Sequence, residues 1–167
     1  MTRTERAAYY EQSLFGPTAL VWTAARAGVD QWANRPTEWR QGASGYGWRA
    51  GSAYAEWIIG QSFQHGYALG LHEDNRYFAL GGGGFAKRVG YALSSAVLAR
   101  HDDGSRSLSL SAIGGAASGA FIARTWQPRS NTRLADAPVQ FGFTIGVNAA
   151  LNLMREFSPR VLGRALQ

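Results

Sequence analysis

The densest set of chemically capable side chains is the run His72-Glu73-Asp74-Asn75-Arg76-Tyr77-Phe78. An imidazole beside two carboxylates can act as a general base oriented by a neighbour, so His72, Glu73 and Asp74 are the catalytic candidates. No nucleophile accompanies them, and consecutive residues rarely all face one ion, so the run does not by itself make a metal site. It also reads as a helix end followed by an ion-paired loop, with Arg76 bridging Asp74 and Tyr77-Phe78 pinning the loop to the body of the protein. The residue types favour that second reading.

A second polar-aromatic knot gathers Asp30-Gln31, Glu38-Trp39, Gln41-Gly42, Gly45-Tyr46-Gly47 and Arg49. Arg49, Glu38, Trp39 and Arg76 are the binding candidates. If the flanking helices form a hairpin, Asp30 or Glu38 pairs with Arg49, and a hydrogen-bonded corner is expected rather than a reactive one. His65 and His72 lie seven apart on one helical face, but no third ligand stands at metal spacing, so neither metal nor cofactor is expected. The glycines at 81–84 precede Phe85-Ala86-Lys87-Arg88 and lack the Gly-Lys-Ser/Thr ending of a phosphate loop, which makes them a connector. Asp102-Asp103-Gly104-Ser105 has the composition of a turn without the ligand spacing of a calcium loop.

The elements that must position these residues are apolar and poor in charge. Apolar residues make up 46% of the 167 and charged residues 17%, below the usual quarter of a globular domain. One domain fits this length: a polar arm at 1–16 and a single body at 17–167. Seventeen basic against eleven acidic side chains leave a charge of +6, and Lys87 is the sole lysine. The arginines are spread along the chain rather than clustered, which argues against nucleic acid. Without cysteine, disulfides and thiolate chemistry are excluded. No apolar leader core is visible in residues 1–13, so a cytoplasmic setting stays open. No stretch has the length of uninterrupted apolar residues that spans a bilayer, and the mean hydropathy is −0.22.

The apolar segments run 17–34, 48–71, 85–100, 108–126 and 139–157, with a short terminal helix expected from Ser158-Pro159. Each carries small residues four apart, including Thr23 and Ala27, Ser62, Gly66 and Gly70, Ser111, Gly115, Gly119 and Ala123, and Gly142, Gly146 and Ala150. On helices these stack into smooth grooves where another backbone approaches closely, so Gly66, Gly70, Gly115, Gly119, Gly142 and Gly146 are the expected packing positions. Alternation of apolar and small residues in 53–71 and 139–153 supports strands and a β-rich membrane barrel as the alternative. Segment length, abundant alanine and scarce β-branched residues favour an all-α compact bundle of about five helices.

The motifs Pro36-Thr-Glu38-Trp39-Arg-Gln41-Gly42-Ala-Ser-Gly45-Tyr46-Gly47, His72-Glu73-Asp74-Asn-Arg76-Tyr77-Phe78, Gly90-Tyr91-Ala92-Leu93-Ser94 and Asn152-Leu-Met-Arg155-Glu156-Phe157 span about residues 15–160. Together they resemble a family of glycine- and alanine-rich bacterial proteins that commonly carry a secretion leader and have no assigned activity. This chain departs from the pattern in having Asn75 where proline is expected and in lacking the leader. The resemblance implies the bacterial cell envelope and supplies no reaction.

Arg100, Arg124 and Arg155 close apolar segments, where they complement helix C-termini or meet anionic headgroups alongside Trp22, Trp39, Trp48 and Trp126. The expectation is a non-enzymatic, membrane-associated or membrane-embedded envelope protein acting as a structural or accessory subunit. Its partners would be membrane lipid, another protein, or further copies of itself as a homo-oligomer. The alternative is a small enzyme using the residues around 72–76.

Overall fold

The computed structural model describes residues 3–101, 104–131 and 137–157. The expected terminal helix at Ser158-Pro159, the Asp102-Asp103 pair and residues 132–136 of the polar stretch at 129–138 lie outside the described residues. Helices α1 (Arg3–Phe15), α2 (Pro17–Trp32), α3 (Ala43–Leu71), α4 (Phe85–Ser94), α5 (Leu110–Ala123) and α6 (Ala137–Phe157) form a bundle. Strands β1 (Glu73–Asp74), β2 (Leu98–His101) and β3 (Arg106–Leu108) make one small antiparallel sheet in that order. The all-α expectation therefore holds and the barrel alternative falls. Segments 53–71 and 139–153, whose alternation supported strands, lie within α3 and α6.

Pro17 starts α2 at a position that needs no backbone N–H, and Ala19, Trp22, Thr23, Arg26 and Ala27 turn inward at helical spacing. Trp22 stacks on Trp57 of α3 with ring centres 5.1 Å apart, and Ala19 and Ala53 complete that core. Within the polar arm expected at 1–16 lies α1, tied to α3 by three side-chain bonds. Tyr10 and Ser62 share a 2.7 Å hydroxyl bond, Tyr54 donates to the Leu14 carbonyl at 3.1 Å, and Trp57 Nε1 donates to the Ser13 carbonyl at 2.8 Å.

The closest helix pair is α3 with α5. Ser111, Gly115, Gly119 and Ala123 are all buried along one stripe of α5. A Cβ at Gly115 would lie 2.6 Å from the Gly60 carbonyl oxygen, and one at Gly119 would lie 2.9 Å from that of Glu56. Only glycine permits this approach. The matching groove on α3 is Glu56, Gly60 and Gln64, one register away from the expected stripe. Gly66 and Gly70, and Gly142 and Gly146 on α6, have no atom within 4 Å of a built Cβ, so they are not close-approach positions here. Spacing makes a smooth stripe on a helix, but which stripe is covered depends on where the neighbouring helix lies.

The helix expected at 85–100 ends at Ser94. Ser94 and Ser95 return their hydroxyls to the Tyr91 carbonyl at 3.0 and 2.8 Å, giving that carbonyl side-chain partners at the helix end. The chain then extends into β2, whose Ala99 is buried between paired neighbours β1 and β3. Among the described residues no helix is long and apolar enough to cross a membrane.

Candidate functional site

In the His72, Glu73 and Asp74 trio, the two carboxylates have separate partners. His72 ends α3 in the left-handed conformation at φ 53°, with its N–H bonded to the Ala68 carbonyl. Glu73 is 1% exposed and faces the first turn of α5. Its carboxylate accepts the backbone N–H of Leu110 at 3.1 Å and of Ser111 at 3.2 Å, with the Ser111 hydroxyl at 2.5 Å and that of Ser109 at 3.2 Å. A carboxylate on the positive end of a helix is held there by charge and by otherwise unpaired N–H groups. Asp74 is bound in fork geometry by Arg76, whose Nη2 lies 2.7 Å from Oδ2. Burial raises the Asp74 carboxyl, and the Arg76 bonds outweigh that and hold it below its usual range. The arrangement is the ion-paired loop, with Glu73 and Asp74 turned to different partners.

Tyr77 pins that loop by donating to Glu156 at 2.7 Å. Glu156 is a site that residue types alone did not reveal. It is fully buried on α6 and also accepts from Leu80 N at 2.8 Å, Gly81 N at 3.1 Å and Arg88 Nε at 2.7 Å. The signal in the sequence is a carboxylate in the last turn of an otherwise acid-free α6.

Arg49 makes a third buried knot, and neither Asp30 nor Glu38 is in it. Its guanidinium donates to the carbonyls of Arg35 at 2.8 Å, Pro36 at 3.0 Å and Arg40 at 2.6 Å, and to the Gln31 amide oxygen at 2.7 Å. Asp30 pairs with Arg26 one turn away at 2.9 Å, and Glu38 accepts from Ser130 at 2.6 Å. The expected carboxylate pair is thus replaced by converging carbonyls of the connector, within which Trp39 closes a short 3-10 turn. These side chains hold a corner. His65 meets the Tyr9 and Tyr10 rings at 5.3 and 4.9 Å. No group of three metal-ligating side chains occurs among the described residues.

A cavity lies between the helices of the bundle. Its volume is about 350 Å³, within the size range of small-molecule sites. Ala112, Ile113, Ala116 and Ala120 of α5 form an apolar floor, Trp22 of α2 and Trp57 of α3 add two indoles, and Thr144, Asn148, Asn152 and Arg155 of α6 add polar lining. Trp22 Nε1 and Arg155 Nε are buried without a hydrogen-bond partner. Burial pushes the Arg155 guanidinium down from its ordinary value, and it pushes the Glu56 carboxyl up. The cavity had no linear signal because it is assembled from every helix except α4.

On the outside, α2 carries its polarity inverted. Arg26, 5% exposed, faces inward, whereas Leu20, Val21, Val29 and Trp32 are 62%, 47%, 43% and 88% exposed. Ala24 and Ala25 are exposed between them, so the outward face has no charge. Compared with protein-family models, curated proteins and solved structures, the chain matches none.

Proposed function

We propose that this bundle is a non-enzymatic accessory protein that docks peripherally on an anionic membrane surface of the cell envelope. The observation carrying the reading is the uncharged outer face of α2, from Leu20 to Trp32, on a chain whose net charge is +6. A helix with such a face lies in the plane of the lipid interface with its apolar side among the upper acyl chains. Trp32 at the end of α2 and Trp48 near the start of α3 are 88% and 66% exposed, as interfacial anchors are. Arg35 and Arg40 are exposed at the same corner, where each basic side chain near an anionic surface contributes about 1 kcal/mol. The reading requires no spanning helix and assigns no reaction.

Sedimentation with vesicles tests it. Wild-type protein should pellet with phosphatidylglycerol vesicles and remain in the supernatant with phosphatidylcholine. The double variant Val21→Glu, Val29→Glu alters only exposed positions and should lower binding about tenfold or more while keeping the helical circular dichroism. Absence of binding to either vesicle overturns the reading. So does a homodimer in vesicle-free buffer that the double variant dissolves, which would assign the face to a second copy.

A further inference from the structure

The structure assigns a ligand to the cavity between the helices: a single-chain amphiphile whose carboxylate sits between Arg155 and Trp22, with its apolar body on the alanine floor of α5. This rests on cavity chemistry and is independent of the outer face of α2.

Three observations converge. First, Arg155 has no carboxylate partner among the described residues. Its Nη2 donates to Thr18 Oγ1 at 3.0 Å and its Nη1 lies 3.5 Å from Asn152 Oδ1, both neutral, while its Nε is buried and unpaired. A buried charge and a buried donor are both costly until an acceptor arrives, and an anion satisfies the two together. Second, a further unpaired donor lines the same cavity. Thr18 precedes Trp22 by one helical turn, so the contact with Thr18 brings the guanidinium to the face of α2 that carries Trp22. Trp22 is 3% exposed, lines the cavity and has no partner for its Nε1–H. Two N–H donors suit the two oxygens of a carboxylate.

Third, the rest of the space is shaped for an apolar body. The floor side chains Ala112, Ala116 and Ala120 end at Cβ, and the indoles of Trp22 and Trp57 add to the lining. The acidic wall residue, Glu56, belongs to a different end. Its electrostatic neighbours are Arg26 and Asp30, whereas those of Arg155 are Tyr9 and Tyr77. Burial also pushes the Glu56 carboxyl up, the direction that lessens its opposition to an anion at Arg155.

Titration of the intact chain in vesicle-free buffer, read by tryptophan fluorescence and calorimetry, tests the assignment. The probes are decanoate, decanol, which has the tail without the charge, and acetate, which has the head without the tail. Decanoate should bind at least tenfold more tightly than either. Arg155→Gln should remove that preference over decanol and leave decanol affinity unchanged, and Arg155→Lys should restore part of it. Ala116→Phe, which fills the floor, should abolish binding of decanoate with Arg155 intact. Equal affinity for decanoate and decanol overturns the anion site. Acetate binding as well as decanoate overturns the amphiphile and leaves a small organic acid from solution. Unchanged decanoate binding by Ala116→Phe, or no decanoate binding at all, removes the cavity as the site.

Discussion

Glu156 receives the Nε–H of Arg88 at 2.7 Å across 68 residues of sequence, and the backbone carbonyl of Glu156 accepts a second bond from the same guanidinium. Through this pair α4, the 77–81 loop and α6 share one fastening point. Burial raises the Glu156 carboxyl, and the bonds from Arg88, Tyr77, Leu80 N and Gly81 N overcome that and bring it down to about 2. Its folded value lies below its unfolded one of 4.5, so the stabilisation is complete above pH 4.5 and is lost as pH falls from there toward 2. Glu156→Gln leaves Arg88 without its counter-charge and should cost about 3 kcal/mol in urea unfolding at pH 7. It should also flatten the acid limb of stability between those pH values. A wild-type acid limb in the variant would show that Glu156 is not the group titrating.

The α3 and α5 seam predicts opposite signs for two glycines that look alike in sequence. A Cβ at Gly115 would stand 2.6 Å from both Gly60 O and Gln64 Cβ, and neither backbone nor Cβ can swing aside. Gly115→Val should cost about 3 kcal/mol, the upper part of the range for overpacking. Gly66 is exposed within α3 and meets nothing, so Gly66→Ala should stabilise by about 0.5–1 kcal/mol through backbone entropy. Thermal unfolding of the two variants checks the contrast, and loss of stability in Gly66→Ala would mean that this face is covered.

These two glycines show how far the sequence could be read. Helix positions were legible because Pro17, the apolar spacing and the abundance of alanine all act locally. The Asp74–Arg76 pair was legible for the same reason, with the two partners only two positions apart. Ser111, Gly115, Gly119 and Ala123 named a seam correctly, but Gly142, Gly146 and Ala150 have identical spacing and are exposed. Covering a stripe is a property of two helices, and local pattern describes one. Strand β2 was missed because its identity comes from pairing with residues 73–74 and 106–108, not from its own composition. The cavity and Glu156 depend on contacts over the whole chain and left no spaced motif.

Arg49 predicts that a conservative charge change will not be conservative. Five donors in a planar fork satisfy carbonyls arriving from several directions, and a lysine ammonium cannot occupy those positions. Gly45 records how tightly the connector wraps it, since a Cβ there would lie 2.4 Å from Arg40 O and 2.8 Å from Arg49 Nη1. Arg49→Lys should cost about 2–3 kcal/mol, from buried carbonyls left unpaired. Trypsin should then open the connector at Arg40 before the rest of the chain. Equal protease resistance in variant and wild type would show that the corner holds without the fork.

His65 sets a separate acid response in the docking of α1. Burial, followed by the charge of Arg6, pushes its imidazole down to about 4, so it is neutral at pH 7 and in contact with Ser13 Oγ at 3.2 Å. An undocked imidazole keeps its usual value of 6.5, and between 6.5 and about 4 the undocked state binds a proton that the docked state refuses. Docking is therefore strongest above pH 6.5 and weakens as pH falls toward 4, most of it before Glu156 begins to titrate. Hydrogen exchange of the α1 amides should accelerate between pH 6.5 and 4.5, after correction for intrinsic rates, while α5 amides hold their protection. His65→Phe keeps a ring against Tyr9 and Tyr10 but cannot titrate, and should exchange at a pH-independent corrected rate. The same acceleration in His65→Phe would assign the acid response of α1 to another group.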